Sequence, residues 1–159
     1  MKATVITDAS YCHSAGVGGW AAWVRVDGVP DAIKHSGRFK TEPKSSTHAE
    51  VLAAINGIWL AVTNGASEIL VQSDCLAVIH AIRQKLKPDS PVSRMWSEGM
   101  VRAGITGVTL VARHVEGHTN RATARHYVNR WCDENAGKHM RKARNERHRD
   151  RGQHLQGGR

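Results

Sequence analysis

The sequence predicts an α/β protein built on one five-stranded mixed sheet, three antiparallel strands followed by two parallel ones, with helices flanking it. Two observations carry this. The first third of the chain reads as short β-rich runs separated by turn residues, and from Ser45 onward helix-period segments alternate with compact apolar runs. No internal repeat or linker interrupts the order. A length of 159 residues suits one domain with a sizeable core.

Taken in order, Ala3-Thr4-Val5-Ile6-Thr7 is a β-rich run that Asp8 closes. Gly16-Val17-Gly18-Gly19 reads as a flexible turn; it lacks the glycine spacing of a phosphate-binding loop and leads into a strand-like run from Trp20 to Val26, ended by Asp27-Gly28. A third strand is expected from Ala32 to Phe39, closing the meander before Thr41-Glu42-Pro43. The period then changes. Ser45, Ser46 and Thr47 offer N-cap hydroxyls, and Val51, Leu52, Ile55, Trp59 and Val62 recur at helical spacing as far as Asn64-Gly65.

Glu68-Ile69-Leu70-Val71-Gln72-Ser73 suits a buried strand, followed by a helix through Leu76, Ile79 and Ile82. Pro88 and Pro91 mark a break, a short helix runs from Met95 to Val101, and Val108 to Ala112 is the fifth strand. The last helix starts at about Arg121 and runs into a basic C-terminal segment. Trp20, Trp23 and Trp59 are expected to serve core or sheet packing, and none is assigned to base stacking.

Composition narrows the function classes. No stretch approaches the roughly 18 apolar residues of a membrane span, and the opening residues carry no apolar run ending in a cleavage-like site. A soluble, cytoplasmic protein without membrane partners is expected. Cys12, Cys75 and Cys132 are odd in number and far apart, which indicates neither a disulfide framework nor a structural zinc site. The net charge of +9 is uneven: residues 138–159 hold eight Lys/Arg and two acids. This divides the chain into a body, 1–137, and a basic tail, 138–159, read as a helix extension followed by a disordered end. The tail reads as a phosphate-seeking arm.

The acids that matter are Asp8, Glu50, Asp74 and Asp133. Alone, each has a bland role as turn residue, helix-dipole partner, N-cap or solvated charge. Together they differ. Asp8 and Asp74 directly follow apolar strands, and Glu50 and Asp133 lie among small residues, Ala49, Ala53 and Ala136, that permit close approach. Strand ends and helix starts in a mixed sheet converge on one edge, where like charges need a cation. Carboxylates without Cys or His ligands favour Mg2+ or Mn2+ over zinc.

Five segments carry a resemblance. Ile6-Thr7-Asp8-Ala9-Ser10, Ala49-Glu50-Val51-Leu52-Ala53-Ala54-Ile55, Val71-Gln72-Ser73-Asp74, Val115-Glu116-Gly117-His118-Thr119 and Asn129-Arg130-Trp131-Cys132-Asp133-Glu134 resemble, in order, the motif blocks of type 1 ribonuclease H. The resemblance implies a ribonuclease H-like fold and hydrolysis of the RNA strand of RNA–DNA hybrids, leaving 5′-phosphate and 3′-hydroxyl ends. It also implies two Mg2+ ions, replaceable by Mn2+, held about 4 Å apart by Asp8, Glu50, Asp74 and Asp133. His118 matches the family's mobile histidine, ahead of its neighbours His114 and His126.

Ser10, Ser46 and Thr47 near the acids and Arg141, Lys142 and Arg144 in the tail are the candidate substrate contacts. The protein is expected to act as a monomer on hybrid nucleic acid. The chain departs from the family pattern in four places. Ser46, Thr47 and His48 replace the polar residues that commonly precede the catalytic glutamate. Ala9 stands where a glycine commonly follows the first aspartate, the interval from His118 to Asp133 is longer than usual, and Gln84 to Asp89 is too short for the basic handle some members carry. The competing readings are a non-catalytic hybrid-binding module and another metal-dependent nuclease of the same fold, such as a junction resolvase or DNA nuclease.

Overall fold

Alternation of side chains along the first 26 residues places apolar groups on both faces of a hairpin, so this hairpin becomes the middle of a sheet covered on both sides. A computed structural model describes residues 1–116 and 123–156. In it β1 (Lys2–Cys12) and β2 (Val17–Val26) pair antiparallel from Ala3 opposite Val26 to Cys12 opposite Val17. β3 (Ile33–Arg38) adds antiparallel to β2, while β4 (Glu68–Ser73) and β5 (Thr109–His114) add parallel on the other side of β1. The strand order is β3-β2-β1-β4-β5, and the expected five-stranded mixed sheet is the one observed.

β1 runs well past Asp8, which lies inside the strand opposite Ala21 rather than at its end. The polar stretch after Thr7 hides this continuation, because cross-strand pairing rather than apolar pattern holds it. The glycine run is likewise mostly strand: Gly16 alone takes the turn conformation, at φ +65°, and Val17, Gly18 and Gly19 pair with β1. Gly19 is required by packing, since a Cβ there would come within 2.6 Å of the Met140 backbone nitrogen.

The crossover from the antiparallel to the parallel part is α1 (Ser46–Thr63), and Ser45 caps it by accepting a bond from the His48 N–H at 3.0 Å. Its buried surface, including Ala49, Val51, Ala53, Ala54, Ile55, Ile58 and Ala61, is broader than the apolar stripe suggested, because α1 packs on β1 and β2 and also against a later helix. Trp59 points outward at 47% exposure, so the expectation that it packs in the core is corrected.

α2 (Leu76–Ile82) and α3 (Pro91–Arg102) follow. Pro91 starts α3 instead of breaking the chain: it occupies the first turn, where its missing N–H costs nothing, and the Ser90 hydroxyl caps the Ser93 N–H. Residues 83–90 join the two helices without a helix of their own.

The last helix, α4 (Ala124–Gln156), crosses the face opposite α1. Cys132 and Ala136 pack on Ile6 and Ala21, with Trp23 and Trp131 edge to face at 5.5 Å. α4 passes residue 137 without a break. Ala143 is buried against Ala15 and Val17, His139 Nε2 lies 3.0 Å from Ser36 Oγ, and Arg38 bridges Glu42 and Glu146, each at 3.1 Å. Arg147 completes this network on Glu42. The basic segment is thus helical to Gln156, and no disordered end begins within the described residues. Among them, no helix is long and apolar enough to cross a membrane.

Candidate metal centre

Parallel pairing of β1 with β4 brings Ile6 level with Gln72, so the two chains leave this register side by side and carry Asp8 and Asp74 to the same edge. Glu50, in the first turns of α1, reaches that edge from the helix. One carboxylate oxygen from each of Asp8, Glu50 and Asp74 lies within 4.8 Å of the others.

The protein supplies little to offset this concentration of charge. The Ala9 N–H donates to Asp8 Oδ1 at 2.9 Å. Glu50 Oε2 is buried and meets no donor. Burial, then the charges of Asp74 and Asp133, pushes the Asp8 carboxyl up to about 7. Burial first, then Asp8 and Asp74, holds Glu50 well above the ordinary carboxylate range. Both shifts share a physical cause: removing a proton adds negative charge to a largely buried site already crowded with carboxylates.

That is the environment a hard divalent cation stabilises. The donors are three carboxylates, one of them with an orphaned oxygen, and among the described residues neither Cys nor His belongs to the cluster. Mg2+ or Mn2+ fits this set. The thiols stand aside: Cys132 donates weakly to the Ile6 carbonyl at 3.6 Å, and burial and the Asp8 charge hold it in the thiol form. Cys75 is also raised, chiefly by burial.

The remaining sequence candidates take different places. Asp133, on α4 beside Cys132, is exposed and lies outside the close trio, although its charge acts on Asp8. Ser10 is half-buried two residues past Asp8 and on the same face of β1. Ser46 and Thr47 form the first turn of α1, just ahead of Glu50. Arg141 and Lys142 are exposed on α4, whereas Arg144 is half-buried. His118 lies outside the described residues. His126 is bonded to Thr123 at the start of α4.

One residue gains a place that the sequence pattern did not give it. β5 continues past Ala112 to His114, level with Ser73, and His114 Nε2 lies 3.2 Å from the Asp74 carbonyl oxygen. The apolar run stops at Ala112, so the signal for His114 lay in strand register alone.

Three comparisons with known proteins bear on this geometry. A family model described as reverse transcriptase-like matches residues 7–103. No curated protein matches the chain. Several solved structures share its fold. The N-terminal RNase H domain of Rv2228c from Mycobacterium tuberculosis, fused to maltose-binding protein, is 22% identical, with 91% of this chain and 97% of that chain covered and a TM-score of 0.65.

RNase H1 from the halophilic archaeon Halobacterium salinarum NRC-1 is 15% identical over 89% of this chain and 99% of that chain, at a TM-score of 0.64. LC11-RNase H1, isolated from compost by a metagenomic approach, was solved in complex with an RNA/DNA hybrid. It is 16% identical over 89% of this chain and 98% of that chain, with a TM-score of 0.67.

Proposed function

Because the chain belongs to the reverse transcriptase-like family and has the fold of type 1 ribonucleases H, we propose that it is a metal-dependent endonuclease that cuts the RNA strand of RNA–DNA hybrids. The observation that carries this reading is the meeting of Asp8, Glu50 and Asp74 within 4.8 Å at one edge of the sheet. The complex of LC11-RNase H1 with a hybrid supports the choice of substrate.

Asp8, Glu50 and Asp74 would hold Mg2+ or Mn2+, with Asp133 completing the set from α4. Bound there, two divalent ions would neutralise the scissile phosphate, activate a water and stabilise the departing 3′ oxygen, giving 5′-phosphate and 3′-hydroxyl ends.

The chain's own side chains prepare that chemistry. The Ala9 N–H fixes one oxygen of Asp8 and leaves the other for a cation. Glu50 presents its undonated oxygen from a helix cradled by small residues, Ala49, Ala53 and Ala54, that seat it close to the sheet. His114 steadies the turn that carries Asp74 by contacting its carbonyl. His118 would be the group that moves protons near the scissile phosphate. Hydroxyls of Ser10, Ser46 and Thr47 face the duplex, where 2′-hydroxyls distinguish RNA from DNA. The enzyme acts as a monomer.

The test is cleavage of matched RNA–DNA hybrid, double-stranded DNA and branched DNA. RNA-strand cutting in the hybrid alone supports the proposal. Cutting of branched or duplex DNA would replace it with another nuclease activity of the same fold, and hybrid binding without cutting would replace it with a binding module. His118→Ala is expected to slow cleavage about 10²- to 10⁴-fold, the range of a lost proton-transfer group. Equal loss in His114→Ala and none in His118→Ala would move that role to His114.

A further inference from the structure

We propose that the outward ridge of α4, formed by Lys138, Arg141, Lys142 and Arg149, is a second nucleic-acid-binding surface that grips duplex phosphates beyond the stretch lying on the carboxylate trio. The identity of the duplex rests on the hybrid-cleaving reading; the contact chemistry does not.

Helical spacing puts these four side chains on one face, opposite the buried Cys132, Ala136 and Ala143, and all four are exposed. Asn145 and His148 fill the gaps on that face, and no acid interrupts it between Lys138 and Arg149. Of the other acids on α4, exposed Glu134 lies one turn before Lys138 on the same face, Glu146 borders the ridge one turn after Lys142 and is tied to Arg38, and Asp150 lies off the ridge. At 1.5 Å per residue the four cations extend over roughly 16 Å. Duplex nucleic acid offers a charge about every 1.7 Å of axis, so a ridge of that length faces many phosphates.

Position and rigidity give the ridge its role. Asp133, whose charge acts on Asp8, precedes Lys138 by five residues on the same helix, about 7.5 Å along the axis and well round the helix from it, so the ridge begins a short way along the rigid rod that also carries Asp133. Midway, the network of Arg38, Glu42, Glu146 and Arg147 pins α4 to the corner between β3 and α1, which holds the cations on a fixed rod. Arg147 is engaged in that network and Arg144 is half-buried toward the β1–β2 hairpin, so neither belongs to the ridge. Residues 148–154 are exposed and include no large apolar side chain, whereas lying on a membrane needs a buried apolar face.

The experiment uses the full chain with Lys138, Arg141, Lys142 and Arg149 all changed to Gln, beside a charge-preserving variant in which each Lys becomes Arg and each Arg becomes Lys. Binding to a short hybrid, a longer hybrid of the same sequence, a plain DNA duplex and anionic lipid vesicles is followed by fluorescence anisotropy or co-sedimentation over a salt series, after circular dichroism shows both variants folded.

The proposal predicts that the Gln variant loses about 0.9 of the log–log salt slope per lost contact, about 3 to 4 in all, on the longer hybrid and on the DNA duplex. The short hybrid loses less, and the charge-preserving variant retains the parent slope. An unchanged slope, an equal loss on short and long hybrids, or a ridge-dependent preference for vesicles overturns it. If the parent cleaves no hybrid while the duplex slope still depends on the ridge, the cleavage reading fails and the ridge stands; intact hybrid cleavage with an unchanged slope removes the ridge alone.

Discussion

At Glu50 a buried carboxylate oxygen without a donor lies beside two other acids, an arrangement that weakens the metal-free fold and prepares the site for a cation. Glu50→Gln removes one of the clustered charges. It is expected to raise the melting temperature in chelator, shrink the further rise on adding Mg2+, and reduce cleavage by more than the roughly 10- to 100-fold typical of losing an outer partner of a metal ligand. Calorimetry with and without Mg2+, beside cleavage rates, checks all three.

The Asp8 carboxyl makes a pH prediction whose sign follows from linkage. It keeps its proton up to about 7 in the folded protein but loses it near 3.8 when unexposed to these neighbours, so between those values the folded state binds more protons. The metal-free protein therefore loses stability as pH rises from about 4 to about 7. Stabilisation by Mg2+ grows over the same window, because a ligand must be deprotonated. Melting temperatures measured against pH in chelator and in Mg2+ should diverge in this way; parallel curves would contradict the assignment. Asp8, Glu50 and Asp74 were legible in the sequence because each has a distinctive apolar or small-residue context. The contact of His114 with the Asp74 carbonyl was not, since it depends on how far β5 stays paired with β4.

Among the elements, the closest approach between layers is where α4 passes over Gly19. Gly19→Ala would drive a methyl group against the α4 backbone, 2.6 Å from the Met140 nitrogen and 2.8 Å from His139 Cβ. A cost of about 1–3 kcal/mol is expected, read as a fall in denaturant midpoint, the usual range for overpacking. Ser45→Ala removes the α1 cap and should cost about 1 kcal/mol by the same measurement.

The order and type of the elements were legible from periodicity, but the ends of β1 and the role of the glycines were not. A polar, glycine-rich strand looks like a turn until its partners, here β2 on one side and the α4 backbone on the other, are known. The seating of the basic segment was hidden for a similar reason: its contacts, Glu146 with Arg38 and Arg147 with Glu42, join residues more than a hundred positions apart.

For the molecule as a whole, parallel strands β1, β4 and β5 point toward one edge, α1 begins there and α4 passes over it, so chemistry-bearing residues from four separate segments converge on it without a dedicated loop. The same helix then carries most of the excess positive charge away from that edge, which places the acids and the basic segment on one continuous path.

The measurement that tests this account most directly is cleavage of an end-labelled RNA–DNA hybrid by the parent protein and Asp74→Asn, in Mg2+, in Mn2+ and in chelator. The account predicts cutting of the RNA strand alone by the parent, dependent on metal and lost in Asp74→Asn. A folded parent that cuts nothing with either metal, or an Asp74→Asn protein that cuts as well as the parent, would contradict it.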